Sequence, residues 1–137
     1  MIIKSESQLL NGNDLILVID KDPDISTIIS YVLIEDGFNC VNYSGAFDAA
    51  YITDLNPVLI IVSHDTDDKT NEFCKNCKTH DQIRSIPVLI TSTKANLEKI
   101  AENSYADAFL HKPFDIDKLS MVVSQTIEAN AKKLFSY

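Results

Sequence analysis

Four short apolar runs set the strongest limit on what this chain can fold into. They are DLILVID (14–20), VLIIV (58–62), IPVLITS (86–92) and ADAFLH (106–111), and each closes on or just before a polar residue. Continuous rather than alternating apolarity marks strands covered on both faces. Between them the apolar residues change period. Ile25, Ile28, Ile29, Val32 and Leu33 recur at helical spacing after Asp22 and Pro23, a cap followed by proline at the first helical position, and that helix is expected to run to Gly37. FNCVNY (38–43) reads as a further short strand, followed by a helix capped by Ser44 and carrying Phe47, Ala50 and Ile52 up to Pro57. The polar stretch HDTDDKTN (64–71) reads as a surface loop before a helix over 72–79. Leu97, Ile100 and Ala101 mark the fourth helix, and Ile116, Leu119, Val122, Val123, Ile127 and Leu134 form the stripe of the last.

Strict alternation of strand and helix, with right-handed crossovers, predicts an α/β fold: a doubly wound five-stranded parallel sheet with helices on both faces. In such sheets the functional crevice lies beyond the carboxyl ends of the strands. Asp20, Lys21, Ser63, His64, Ser92 and Lys112 all fall at strand ends of that kind. The 137 residues suit one domain, expected over 14–135 after an N-terminal extension, 1–13. The longest apolar runs are five residues, far short of a membrane span. Twelve basic against twenty acidic residues give a net charge of −8, which disfavours direct nucleic-acid binding. Three cysteines in a chain able to fold without staples point to a reducing compartment, the cytoplasm.

LILVIDKDPDI, PVLIIVSHD, IPVLITST and AFLHKPFDI, in that order, resemble the signatures of the receiver domain of bacterial response regulators, over about residues 14–130. The resemblance implies a flavodoxin-like fold with strand order 2-1-3-4-5 and a place in two-component, phosphorelay signalling. In that family an acidic pair holds magnesium, an aspartate accepts a phosphoryl group from a histidine kinase, a hydroxyl contacts it, and a lysine before a cis-proline pairs with it. Matched residue by residue, Asp20 takes the first acidic position, Ser92 the hydroxyl position, Lys112 and Pro113 the lysine and cis-proline, and Phe109 the switch aromatic. Two positions depart from the pattern. The second acidic residue is Lys21 and the phosphoacceptor is Ser63. Asp20, Lys21, Ser63 and Lys112 together carry a charge of about +1, whereas three carboxylates and a lysine carry about −2 and suit a dication. A serine also needs a base to activate it, and the resemblance supplies none.

These residues read as a degenerate phosphorylation pocket in a phosphorylation-independent interaction module, not an enzyme, with no cofactor and no metal. The implied partner is a signalling protein, a histidine kinase or effector. The face formed by the fourth helix, fifth strand and fifth helix is carried over from the family as a surface for that partner or for a second copy. The main rival is a working phosphoreceiver that recruits Asp65 with magnesium. A lesser rival is a metal or redox module on Cys74 and Cys77, with His80 completing a C-x-x-C-x-x-H string.

Each residue also has a plainer role to weigh. Asp22 caps a helix, Asp65 sits in solvent, Lys112 pairs with Asp20, and Ser92 caps the helix that follows. Phe109 is core, His64 and His111 are exposed strand-end residues, and Cys74 and Cys77 are buried thiols. Where the family carries glycines, Thr70 or Asn71 and Tyr105 stand here, so reshaped turns are expected at those points.

Overall fold

In the computed structural model, which describes residues 14–64 and 68–134, five strands and five helices alternate strictly. They are β1 (Leu15–Ile19), α1 (Pro23–Glu35), β2 (Asn39–Asn42), α2 (Ala49–Leu55), β3 (Leu59–Ser63), α3 (Asp68–Thr79), β4 (Val88–Ser92), α4 (Leu97–Asn103), β5 (Ala108–His111) and α5 (Ile116–Leu134). The sheet is parallel throughout, in the order β2-β1-β3-β4-β5. The expected extension 1–13, Asp65 and the end of the 14–135 span lie outside the described residues, as does the side chain of Leu134.

Alternation along the buried strands divides the core into two layers. Leu17, Ile60, Val62 and Ile90 face a cluster closed by Ile52 of α2, Phe73, Cys74 and Cys77 of α3, and Leu97 of α4. Ile16, Val18, Leu59, Ile61 and Leu89 face the other, closed by Ile29, Val32 and Leu33 of α1 and by Leu119 and Val123 of α5. The three inner strands carry the continuous apolar runs because both of their faces are covered. The edge strands β2 and β5 are four residues each and only partly buried.

Local chemistry explains most element ends. Asp22 caps α1, its Oδ1 accepting from the N–H groups of Asp24 at 2.9 Å and Ile25 at 3.4 Å, with Pro23 in the first turn. Gly37, at φ 101°, ends α1 in a Schellman arrangement, with Phe38 N–H donating to Leu33 O and Gly37 N–H to Ile34 O. Tyr105, where the family carries a glycine, does not reshape the turn as expected but takes the left-handed region at φ 63° between α4 and β5. Its exposed ring has the Lys75 ammonium 5.9 Å from the centroid.

Four expectations about elements need correction. Helix α2 is capped by Asp48, whose Oδ1 accepts from Tyr51 N–H at 3.1 Å, and not by Ser44. Helix α3 begins at Asp68, so the second half of the polar stretch read as loop is helical and Thr70 and Asn71 stand within a helix rather than a glycine turn. Ile28 is 45% exposed and, with Tyr31 and Ile34, lies outside the buried face of α1. Ser92 does not cap α4, whose cap position is Asn96.

Candidate functional site

Parallel pairing brings the ends of β1, β3, β4 and β5 to one edge of the sheet, and the crossover connections leave that edge open to side chains from four strand termini. Asp20 follows β1, Ser63 closes β3, Ser92 closes β4, and Lys112 follows β5. The structure brings Asp20, Ser63 and Lys112 into direct contact. Lys112 Nζ donates to Asp20 Oδ2 at 2.9 Å and to Ser63 Oγ at 2.7 Å. Both side chains of the ion pair are nearly shut off from solvent, at 7% for Lys112 and 4% for Asp20. The other carboxylate oxygen, Oδ1, accepts from Asp22 N–H at 2.9 Å. The Lys112–Pro113 peptide is cis, as the resemblance implied.

Ser92 is fully buried but faces a different partner. Its Oγ donates to the carbonyl of His64 at 2.5 Å and accepts from Lys94 N–H at 3.0 Å, tying the end of β4 to the residue after β3. Lys21 is exposed beside Asp20. Asp65, the carboxylate of the rival reading, lies outside the described residues.

The magnesium site of the receiver family does not fit these groups. Among the described residues Asp20 is the one carboxylate at this edge that matches the family's acidic positions, and both of its oxygens are engaged, one by an ammonium and one by a backbone N–H. A hard dication wants several anionic or carbonyl oxygens, and an ammonium bonded to Asp20 competes for the same negative charge. No step of chemistry through a metal follows from this geometry.

Two sequence expectations at this edge are overturned. His64 is 4% exposed, not a surface residue. Its N–H donates to Thr91 O at 2.8 Å, so it continues β3 by one residue into the covered part of the sheet, where neither ring nitrogen finds a hydrogen-bond partner among the described residues. Alternation from Ile60 through Val62 to His64 was the signal that places it on the inner face. Phe109 is not core: it is 36% exposed, with its ring edge-on to exposed His111 at 6.0 Å between centroids.

The cysteine string does not assemble a reactive centre. Cys74 and Cys77 are completely buried on α3, and Cys74 Sγ donates to Ser104 O at 3.4 Å. Burial pushes both thiols up to about 12; for Cys74 the neighbouring Cys77 adds to the rise, and for both the Lys78 ammonium opposes it. A thiol held that high keeps its proton at neutral pH, which works against a nucleophilic role. His80 turns its Nδ1 to Gln82 N–H at 3.2 Å, and among the described residues no three His, Cys, Asp or Glu side chains converge on a metal position.

No family model matches the sequence, and no curated protein matches it significantly. Solved structures do match the fold. NtrX from Brucella abortus is 27% identical with a TM-score of 0.73, covering 87% of this chain and 28% of that one. The chain therefore spans little more than a quarter of that relative. HP1043, an orphan response regulator of H. pylori, is 25% identical at a TM-score of 0.67, covering 82% of this chain and 95% of that one. A putative response regulator from Chloroflexus aurantiacus, at 18% identity and a TM-score of 0.76, covers 85% and 98% and speaks for the fold alone. With strand order 2-1-3-4-5 and the cis peptide after Lys112 already in place, these matches show that the chain has the flavodoxin-like fold of the response regulator receiver domains it resembles.

Proposed function

We propose that this domain works in two-component signalling as a phosphorylation-independent protein-interaction module, its phosphotransfer pocket replaced by an internal ion pair. One observation carries the reading: the Lys112 ammonium is bonded at once to Asp20 and to Ser63, deep enough that both members of the pair are nearly dry. In a phosphoreceiver that lysine is held for an incoming phosphoryl oxygen and the acidic residues for a cation. Here the residues at those positions satisfy one another. Ser63 donates no carboxylate nucleophile, and its oxygen accepts from a cation, which lowers its nucleophilicity.

The module acts in the cytoplasm of a bacterium and meets a signalling protein, a histidine kinase or effector, through the α4–β5–α5 face. The net charge of −8 disfavours direct contact with nucleic acid. Among the described residues no helix is long and apolar enough to cross a membrane.

Incubation with acetyl phosphate and magnesium, read by intact mass, is expected to leave the chain unmodified. A phosphate adduct overturns the reading, and its loss in Asp65→Asn would assign the phosphoryl group to that carboxylate. The companion measurement restores the family residues. In Lys21→Asp with Ser63→Asp the melting temperature should rise with magnesium, while the unaltered chain stays flat, because a ligand stabilises only the state that binds it. Stabilisation of the unaltered chain by millimolar magnesium would equally sink the proposal.

A further inference from the structure

Between α4 and β5 lies a groove of about 380 Å³ whose floor is made of Ala101, Ala106 and Ala108, small side chains that leave room above them. Phe109 adds an exposed ring to its lining. Glu98 and Glu102 rise along the α4 wall, one helical turn apart. We infer that this groove takes a basic segment of a partner protein, arginine or lysine side chains meeting Glu98 and Glu102 while an adjoining apolar side chain covers Phe109. The inference rests on the interaction-module reading above and names the chemistry of its partner.

Charge is what selects this occupant. Glu98 and Glu102 stand at i and i+4, with Cβ atoms about 6 Å apart, where like charges repel. Neither has an ion-pair or hydrogen-bond partner among the described residues. The remaining acid of the groove, Asp107, is already taken: its Oδ2 holds the Lys78 ammonium at 2.8 Å and the Val88 N–H at 2.8 Å. Two unsatisfied negative charges therefore flank an apolar floor. A metal ion is the wrong cation, because no three acidic, thiol or imidazole groups among the described residues converge to chelate one. Cations spaced along a polypeptide do fit, since each carboxylate can be met separately and the stems of lysine or arginine can lie along the alanine floor. A second copy of this chain is a poorer occupant. Symmetric pairing sets a patch against itself, and the groove lining contains no cation to answer its acids.

The test uses the full chain labelled with nitrogen-15 and, as probe, a blocked amphipathic helical peptide bearing two arginines one turn apart beside leucines. Amide shifts should concentrate on Ala101 and on Ala106 to Phe109, and should weaken as salt rises. A matched peptide with glutamates in place of the arginines should produce none. Glu98→Lys with Glu102→Lys, both exposed and so tolerated by the fold, should weaken binding at least about tenfold. Phe109→Ala should weaken it by a route that changes no charge. Equal affinity for the charge-reversed variant overturns the inference. So does absence of binding, a footprint on Ile28, Tyr31 and Ile34 of α1, or groove shifts that grow with protein concentration alone. Those outcomes leave the pocket reading standing, whereas a phosphate adduct would remove the pocket reading and leave the groove intact.

Discussion

Two lysine–aspartate pairs sit at opposite ends of the same sheet and serve opposite ends. At the amino-terminal edge Lys78 Nζ spends its protons on Asp107 Oδ2 at 2.8 Å and on the carbonyls of Arg84 at 2.9 Å and Ile86 at 3.1 Å. Every partner but one is backbone, so the lysine fastens the end of α3 to the starts of β4 and β5. At the carboxyl-terminal edge Lys112 joins side chains from β1 and β3 instead. The first pair holds the chain's course, and the second holds together residues that the fold places at a chemical site. Exposure differs in the same sense, with Asp107 at 26% and Asp20 at 4%.

The sharpest way to break this comparison is to remove each ammonium in turn. Lys112→Met strands a buried carboxylate and should cost roughly 3–5 kcal/mol of unfolding free energy in urea, most of it recovered by adding Asp20→Asn. Lys78→Met leaves Asp107 in touch with water and should cost about 1–2 kcal/mol. Equal losses would mean that the two pairs do not differ in kind.

Alkali sharpens it next. The Cys74 and Cys77 thiols, at about 12 in the folded chain against an ordinary 9.0, hold protons that the unfolded chain has released. Their contribution is therefore complete below pH 9 and is lost as pH rises through that window, at about 1.4 kcal/mol per pH unit for each thiol. Because Lys78 opposes the rise, Lys78→Met should carry the window further into alkali without changing its slope, while Lys112→Met should leave the window where it is. Denaturation midpoints at pH 8, 9 and 10, level up to 9 and falling beyond it, check the loss itself.

The smallest effect separates a cap from a site. Asp22→Ala should cost about 1 kcal/mol, the worth of an N-cap, with its N–H still donating to Asp20. A loss approaching that of Lys112→Met would place Asp22 in the pocket rather than at the end of a helix.

Most of the scaffold was legible because burial on both faces leaves an unbroken apolar run, and three such runs became β1, β3 and β4. The Lys112–Asp20 pair was legible once strand ends and the receiver resemblance had put both residues at one edge. What escaped was governed by tertiary surroundings. The start of α3 carries no apolar period, so nothing in Asp68 to Asn71 distinguishes a helix from a loop except an acid suited to a helix N-terminus. His64 is polar by type but is drawn inward by one more backbone bond to β4. Phe109 is apolar by type but falls on an edge strand whose outer neighbour is a groove rather than a helix. Ser92 was expected to cap α4, yet its hydroxyl is taken by the carbonyl of His64 and the Lys94 N–H.

The short edge strands have a consequence for how the molecule behaves in a crowd. Among the described residues β2 and β5 each offer one unpaired backbone edge, and four residues make a short template for an invading strand. A net negative charge also works against the approach of a second copy. The long, sticky strands are kept in the middle of the sheet. Association by strand addition is thereby suppressed, and contacts between molecules are left to side chains.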